Sequence, residues 1–216
     1  MKMRIASLSL LALCLTLAAV PVMAQTVYSN GPTNGNTDAW TINFGYVVSD
    51  TFNVANSGTS ITGASFAMWL LPGDTLGSAE LSITSSENGG TSYFDQTVSF
   101  TTGSCTANSY GYNVCGENTS FSGPTLNSGS YWLNLQNASV ASGDPVYWDE
   151  NSGPSSASES SLGTIPSESF TVLGSGTGTT TSTSSSTTGT TPEPSSIMLF
   201  GSGVLGLAGM LRRKLF

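Results

Sequence analysis

Between Gln25 and Leu173 the chain repeats one pattern, short runs with large apolar side chains at every second position, broken by clusters of Gly, Asn, Ser and Pro. Period two is the signature of strands that bury one face, and the breakers are turn formers. In WTINFGYVV, Trp40, Ile42, Phe44, Tyr46 and Val48 fall on one side, which predicts a single half-buried strand. Phe52 and Val54, Leu81 and Ile83, and Phe94, Val98 and Phe100 make similar stripes. ITGASFAMWLLPG is apolar on both faces, because Phe66, Met68 and Leu70 alternate with Ala67, Trp69 and Leu71. It reads as a central strand stopped by Pro72. Further strands are expected from Tyr110 to Cys115, from Tyr131, from Pro145 and from Glu168, roughly nine or ten in all. Nothing between the termini has the 3.6-residue period of an amphipathic helix. The expected fold is therefore all-β, a single antiparallel β-sandwich over 25–173, jelly-roll-like in its winding. An immunoglobulin-type sandwich is the alternative, weakened because its two distant cysteines around a central Trp are missing.

The charges narrow what such a domain does. The only basic residues are Lys2, Arg4, Arg212, Arg213 and Lys214, there is no His, and all 13 carboxylates lie between these two groups. A body with carboxylates and no cation is repelled by phosphate backbones, which excludes nucleic acid as a partner. It also lacks imidazole bases, Lys nucleophiles and arginine clamps, so an activated Ser or Thr has no familiar partner.

Residues 1–24 combine a basic start, an apolar stretch from Ile5 to Val20 and small residues before Gln25, as a cleaved secretory signal peptide does; an uncleaved membrane helix is the alternative. Cleavage removes Cys14 and leaves Cys105 and Cys115, expected to pair in an oxidising compartment, with free thiols or metal ligation as alternatives. Residues 174–191, rich in Thr, Ser and Gly, hold no side chain large enough to offset the entropy of ordering. They read as a linker spanning about 23 Å. Residues 195–211 form an uncharged stretch about 25 Å long as a helix, followed by Arg212-Arg213-Lys214, so a transmembrane helix with its basic end in the cytoplasm is expected.

Pro192-Glu193-Pro194, the Gly- and Leu-rich span after it and the basic cluster together resemble the PEP-CTERM sorting signal of exported bacterial proteins. The resemblance covers residues 192–216 and implies recognition and processing near Pro192, Glu193 and Pro194 by a membrane-embedded exosortase. It further implies passage through the inner membrane, transient anchoring there, and a final place at the cell surface or in an extracellular polysaccharide matrix. Two prolines keep the triplet out of a helix and extended at the membrane surface. The body is similar to β-rich PEP-CTERM proteins of unassigned function through Asn34 to Asp50, Pro72 to Asp74, Tyr131 to Ala138 and Gly143 to Ser155. That likeness implies a shared domain and no activity.

Within the body, GDPVYWDENSGP is the densest cluster of functional side chains, with Asp144, Tyr147, Trp148, Asp149, Glu150 and Asn151 within eight positions. An aromatic face stacking on a pyranose, with carboxylate and amide groups on its hydroxyls, would make this a sugar site. The competing reading puts Trp148 in the core. The same cluster, with the stretch around Asp38, is a candidate for Ca²⁺, although the twelve-position calcium-loop pattern fails. Trp69 and Trp132 read as core. No pattern selects a pair of carboxylates for glycoside hydrolysis. The sequence therefore points to a non-enzymatic structural or interaction protein of an exopolysaccharide layer, without cofactor, with a lectin-like module as its rival and a carboxylate-dependent hydrolase third.

Overall fold

A computed structural model describes residues 24–175. The expected signal peptide, most of the linker, the Pro-Glu-Pro triplet and the membrane helix lie outside the described residues. Fourteen strands and no helix make up the described part.

Two antiparallel sheets carry these strands. In the first, β4 (Thr59–Leu70) is central. One edge of it pairs with β14 (Phe170–Ser175) and β11 (Tyr147–Asp149), which are flanked in turn by β1 (Gln25–Ser29) and β2 (Ala39–Thr41). Its other edge pairs with β8 (Asn113–Ser120) and β9 (Thr125–Leu126), and β8 carries β7 (Thr101–Ala107) outside it. The second sheet runs β13 (Gly163–Ile165), β12 (Ala157–Glu159), β3 (Val48–Val54), β10 (Gly129–Val140), β5 (Leu76–Ser86), β6 (Gly89–Ser99). Alternation decides which side chains meet. Phe66, Met68 and Leu70 of the first sheet and Phe52, Leu81, Ile83, Leu133 and Leu135 of the second belong to one buried apolar cluster. Tyr28 against Phe52 (ring centroids 6.5 Å apart) and Phe121 against Phe94 (4.7 Å) join the two sheets across it.

As expected, β4 is the strand apolar on both faces, and its run ends before Pro72. WTINFGYVV, however, is two strands in two sheets. Its first residues lie in β2 and its last in β3, and the chain turns between them with φ of 58° at Phe44 and 90° at Gly45. Tyr46 N donates to Asn43 O (3.1 Å), and Asn43 Nδ2 donates to Asp144 O (3.0 Å), which fastens the turn to the segment before β11. Phe44 is 63% exposed and Tyr46 42% exposed, so the alternation there does not bury a face. Gly45 takes left-handed backbone without steric cost and Asn43 fastens the turn by hydrogen bonds, and together they override the hydrophobic period. The strand expected from Tyr110 also begins later, at Asn113, leaving Tyr110 and Tyr112 in a turn.

Candidate functional site

The outward face of the first sheet carries a second, smaller apolar cluster. Ala67 and Trp69 of β4 and Val114 of β8 form it, with Ala39, Tyr112 and Tyr147 packed around them. These positions alternate with the core-facing Phe66 and Met68, so the second apolar face of β4 supports a surface feature rather than more core.

The β7–β8 hairpin builds one wall. Asn108 Oδ1 accepts from Tyr110 N and Tyr112 N (both 3.0 Å), Asn108 N donates to Tyr112 O (2.9 Å), and Gly111 supplies a φ of 87°. This side-chain-capped turn presents Tyr110 and Tyr112 on either side of a glycine. Cys105 and Cys115 face each other in the ladder below it and are joined by a disulfide. The other wall is the loop before β2, from Gly31 to Asp38, and Tyr110 Oη reaches it by donating to Asn36 O (3.1 Å). Asp149 anchors that loop from beneath. Its Oδ1 accepts from Gly35 N and Trp69 Nε1 (both 2.7 Å), and its Oδ2 accepts from Asn34 N (2.8 Å).

The result is an aromatic groove of about 210 Å³, lined by Thr37, Asp38, Ala39, Trp69, Tyr110, Tyr112 and Tyr147. Tyr110, 57% exposed, stacks on Trp69 with ring centroids 5.6 Å apart and planes 21° apart. Tyr112 meets Tyr147 edge to face at 5.4 Å. Burial, reinforced by the neighbouring Tyr112, pushes Tyr147 up to about 12, so its phenol stays neutral and able to donate. Three half-buried or exposed aromatic rings beside one carboxylate make a surface that takes flat apolar faces bearing hydroxyl groups.

The residues singled out by sequence divide among three places. Tyr147 lines the groove. Asp149 lies under it, wholly buried, its carboxyl raised above the ordinary range because desolvation outweighs three donors. Trp148, on the opposite face of β11, is 0% exposed, edge-on to Phe66 (5.4 Å) and Phe170 (5.5 Å), with Nε1 donating to Ser169 O (2.9 Å). Its ring has no free face for a sugar. Alternation itself separates Trp148 from Tyr147. Asn151 is committed to structure: its Nδ2 donates to Asn30 O (2.8 Å) and Pro32 O (3.3 Å), and its Oδ1 accepts from Gly153 N and Ser167 Oγ (both 2.9 Å). Asp144 is half-buried in the segment before β11 and is not among the groove's lining residues. At the expected Ca²⁺ position around Asp149 and Asn151, N–H donors and the Ser167 hydroxyl already occupy the side-chain oxygens a cation would need. Tyr110 and Tyr112 were not legible as site residues, although SYGY between two paired cysteines was the available signal for a stapled aromatic hairpin tip.

Among curated proteins none matches the chain. Residues 190–214 match the PEP-CTERM protein-sorting motif, which exosortase, a membrane enzyme, recognises in proteins that are secreted and held at the membrane before processing. The chain thus carries a PEP-CTERM sorting signal, which implies an exosortase-targeted exported protein, and a β-rich domain precedes that signal.

Proposed function

We propose that the protein is an interaction component of an extracellular polysaccharide layer, a β-sandwich displayed at the cell surface or in the matrix that holds sugar rings in the groove formed by Trp69, Tyr110, Tyr112 and Tyr147. The observation that carries this reading is the stacked Tyr110–Trp69 pair, solvent-facing on one side and braced on the other by Asp149. Pre-organised aromatic area binds with little entropy left to lose, which suits repeated weak contacts along a polymer. In this reading the signal peptide supplies export, processing at Pro192, Glu193 and Pro194 releases the domain from the inner membrane, and the Thr/Ser linker serves as its stalk. A jelly-roll winding is supported by the strand orders β1-β14-β4-β8 and β3-β10-β5-β6, in which the first and last strands are neighbours and the chain repeatedly changes sheet. The reading is non-enzymatic. It draws support from the groove's single lining carboxylate, Asp38, where glycoside hydrolysis uses an opposed pair.

Titrating the full-length protein with defined oligosaccharides and with the host's own polysaccharide, while following Trp fluorescence, tests it. A saturable change that disappears in Tyr110→Ala is expected, and because Tyr110 sits on an exposed turn that variant keeps its fold. No response at millimolar saccharide, or an undiminished response in Tyr110→Ala, overturns the site. The intact mass of the protein recovered from medium and membrane tests processing; a mass retaining 195–216 after maturation refutes it.

A further inference from the structure

At one end of the apolar layer between the sheets, acidic side chains take core positions. Asp50 lies between the buried Val48 and Phe52 of β3 and points inward with them. From the other sheet Glu150 and Glu168, paired in an antiparallel bridge, share the inward face of Trp148 and Phe170 two residues away. Asp50 Oδ2 accepts from Glu168 N (2.7 Å) and Asn30 Nδ2 (3.3 Å), and Glu150 Oε2 accepts from Trp40 Nε1 (3.2 Å). Three carboxylate oxygens are left over. Among the described residues both Glu168 Oε atoms are buried without any hydrogen-bond partner; Asp50 Oδ1 and Ser155 Oγ have no well-formed bond either, although the Ser155 hydroxyl stands close enough to the Asp50 carboxyl to offset part of its burial, and Ser155 N donates to Asn30 Oδ1 (3.3 Å). Asp50 and Glu168 are each 0% exposed.

Orphaned buried carboxylate oxygens cost several kcal/mol unless something compensates them. No Lys, Arg or His exists between Arg4 and Arg212 to do so. Burial and the neighbouring Asp50 and Glu150 carboxylates favour a proton on Glu168, which would neutralise its charge and give one oxygen an O–H to donate, but would leave the other oxygen without a partner. A hard divalent cation satisfies several such oxygens together, and the nearby Ser155 hydroxyl, with water, is of the kind that completes its shell. Among the described residues no group of three or more acidic or sulfur side chains stands where it could hold a metal ion, so the charged ligands on offer are Asp50 and Glu168 alone.

We propose that Asp50 and Glu168 bind a Ca²⁺-class cation between the two sheets, with Ser155 Oγ beside it, so that the exported domain is completed by an ion it meets outside the cell. The expected affinity is that of extracellular calcium modules, about 10⁻⁴ to 10⁻³ M. The test is thermal unfolding of the full-length protein near neutral pH, in chelator and in CaCl₂, with Tb³⁺ luminescence sensitised by the nearby Trp40 as a direct readout. Saturating Ca²⁺ should raise Tm by about 5 to 10 °C at a hundredfold excess over Kd, with one ion per chain, and displace Tb³⁺. Glu168→Gln and Asp50→Asn should each abolish that shift while keeping the near-ultraviolet circular dichroism of the fold. An unchanged wild-type Tm in Ca²⁺, with stability rising instead on acidification, would show that the carboxyls hold protons and overturn the proposal. So would a Ca²⁺ shift that survives in either folded variant. If neither variant folds, the wild-type stoichiometry and Tb³⁺ displacement decide.

Discussion

Glu117 is another fully buried acid, and replacing it with Gln isolates the energetics of a buried carboxyl in this cation-free body. It lies on the inward face of β8, opposite Phe66 in the ladder, and among the described residues its hydrogen-bond donor is Thr102 Oγ1, 2.9 Å from Oε1 and 3.0 Å from Oε2. Burial raises its pKa from 4.5 to about 7, and the Thr102 hydroxyl offsets only part of that. The folded state therefore favours the protonated form, whereas the unfolded chain releases the proton near its ordinary value. Stability from this group is fully present below about pH 4.5 and is lost as pH rises through about 7. That displacement corresponds to about 3 kcal/mol, or about 6 to 12 °C in Tm for a domain of this size. Glu117→Gln is neutral at every pH and keeps an oxygen for Thr102. It should match the wild type at about pH 4.5 and exceed it by up to about 3 kcal/mol at about pH 8. Urea unfolding of both proteins across that range, in chelator so that metal binding does not intrude, measures the difference. Asp50 and Glu168, likewise raised by burial, contribute equally to both proteins and cancel. Parallel stability profiles for the two proteins would refute the reasoning.

The disulfide and the buried Asp149 give two more. Reducing Cys105–Cys115, which closes a loop with a sequence separation of 10, should cost about 3 kcal/mol in urea unfolding. Because β7 is exposed along nearly its whole length, the first sign should be loss of amide-exchange protection confined to β7 and the Asn108 turn, with weaker saccharide binding as Tyr110 loosens; uniform loss of protection would contradict this. Asp149→Asn puts an amide N–H where three donors expect acceptors, so it should destabilise by about 1 to 3 kcal/mol and weaken the Trp fluorescence response to saccharide by about tenfold. Full retention of that response would show that the Asn34–Gly35 loop does not shape the groove.

The strand content was legible because period-two runs with turn formers between them have few alternatives, and β4 was placed correctly as the strand apolar on both faces. Pairing was not legible where short-range chemistry outweighed the period. At WTINFGYVV five alternating large side chains argued for one strand, but Phe44 and Gly45 take left-handed backbone and carry the chain from one sheet to the other. The same limit applies to β2, β9, β11, β12 and β13, whose two or three residues are too few for any period and form only because longer neighbours template them. β7 was missed for a different reason. TTGSCTA has almost no apolar residue, since an edge strand with both faces exposed buries nothing that would mark it.

Parity could have revealed more of the chemistry than it did. Asp50 shares the parity of Val48, Phe52 and Val54; Glu117 that of Cys115; Glu168 that of Phe170 and Val172. Each acid therefore stood at a position its own strand assigns to the core, while the cluster around Trp148 drew attention by density alone. Density in sequence is a poor guide in a β protein because neighbouring residues face opposite ways: Trp148 enters the core, and Tyr147 and Asp149 face or brace the groove. The groove is assembled from β4, β11, the loop before β2 and the β7–β8 turn, four segments that meet only through strand pairing. A polar residue on the apolar parity of a strand is the more informative signal, since leaving it there costs stability unless a partner, a proton or an ion compensates it. In a body without a single cation the first of those is confined to neutral donors, and that is why the orphaned oxygens of Asp50 and Glu168 carry more functional information than the thirteen carboxylates counted together.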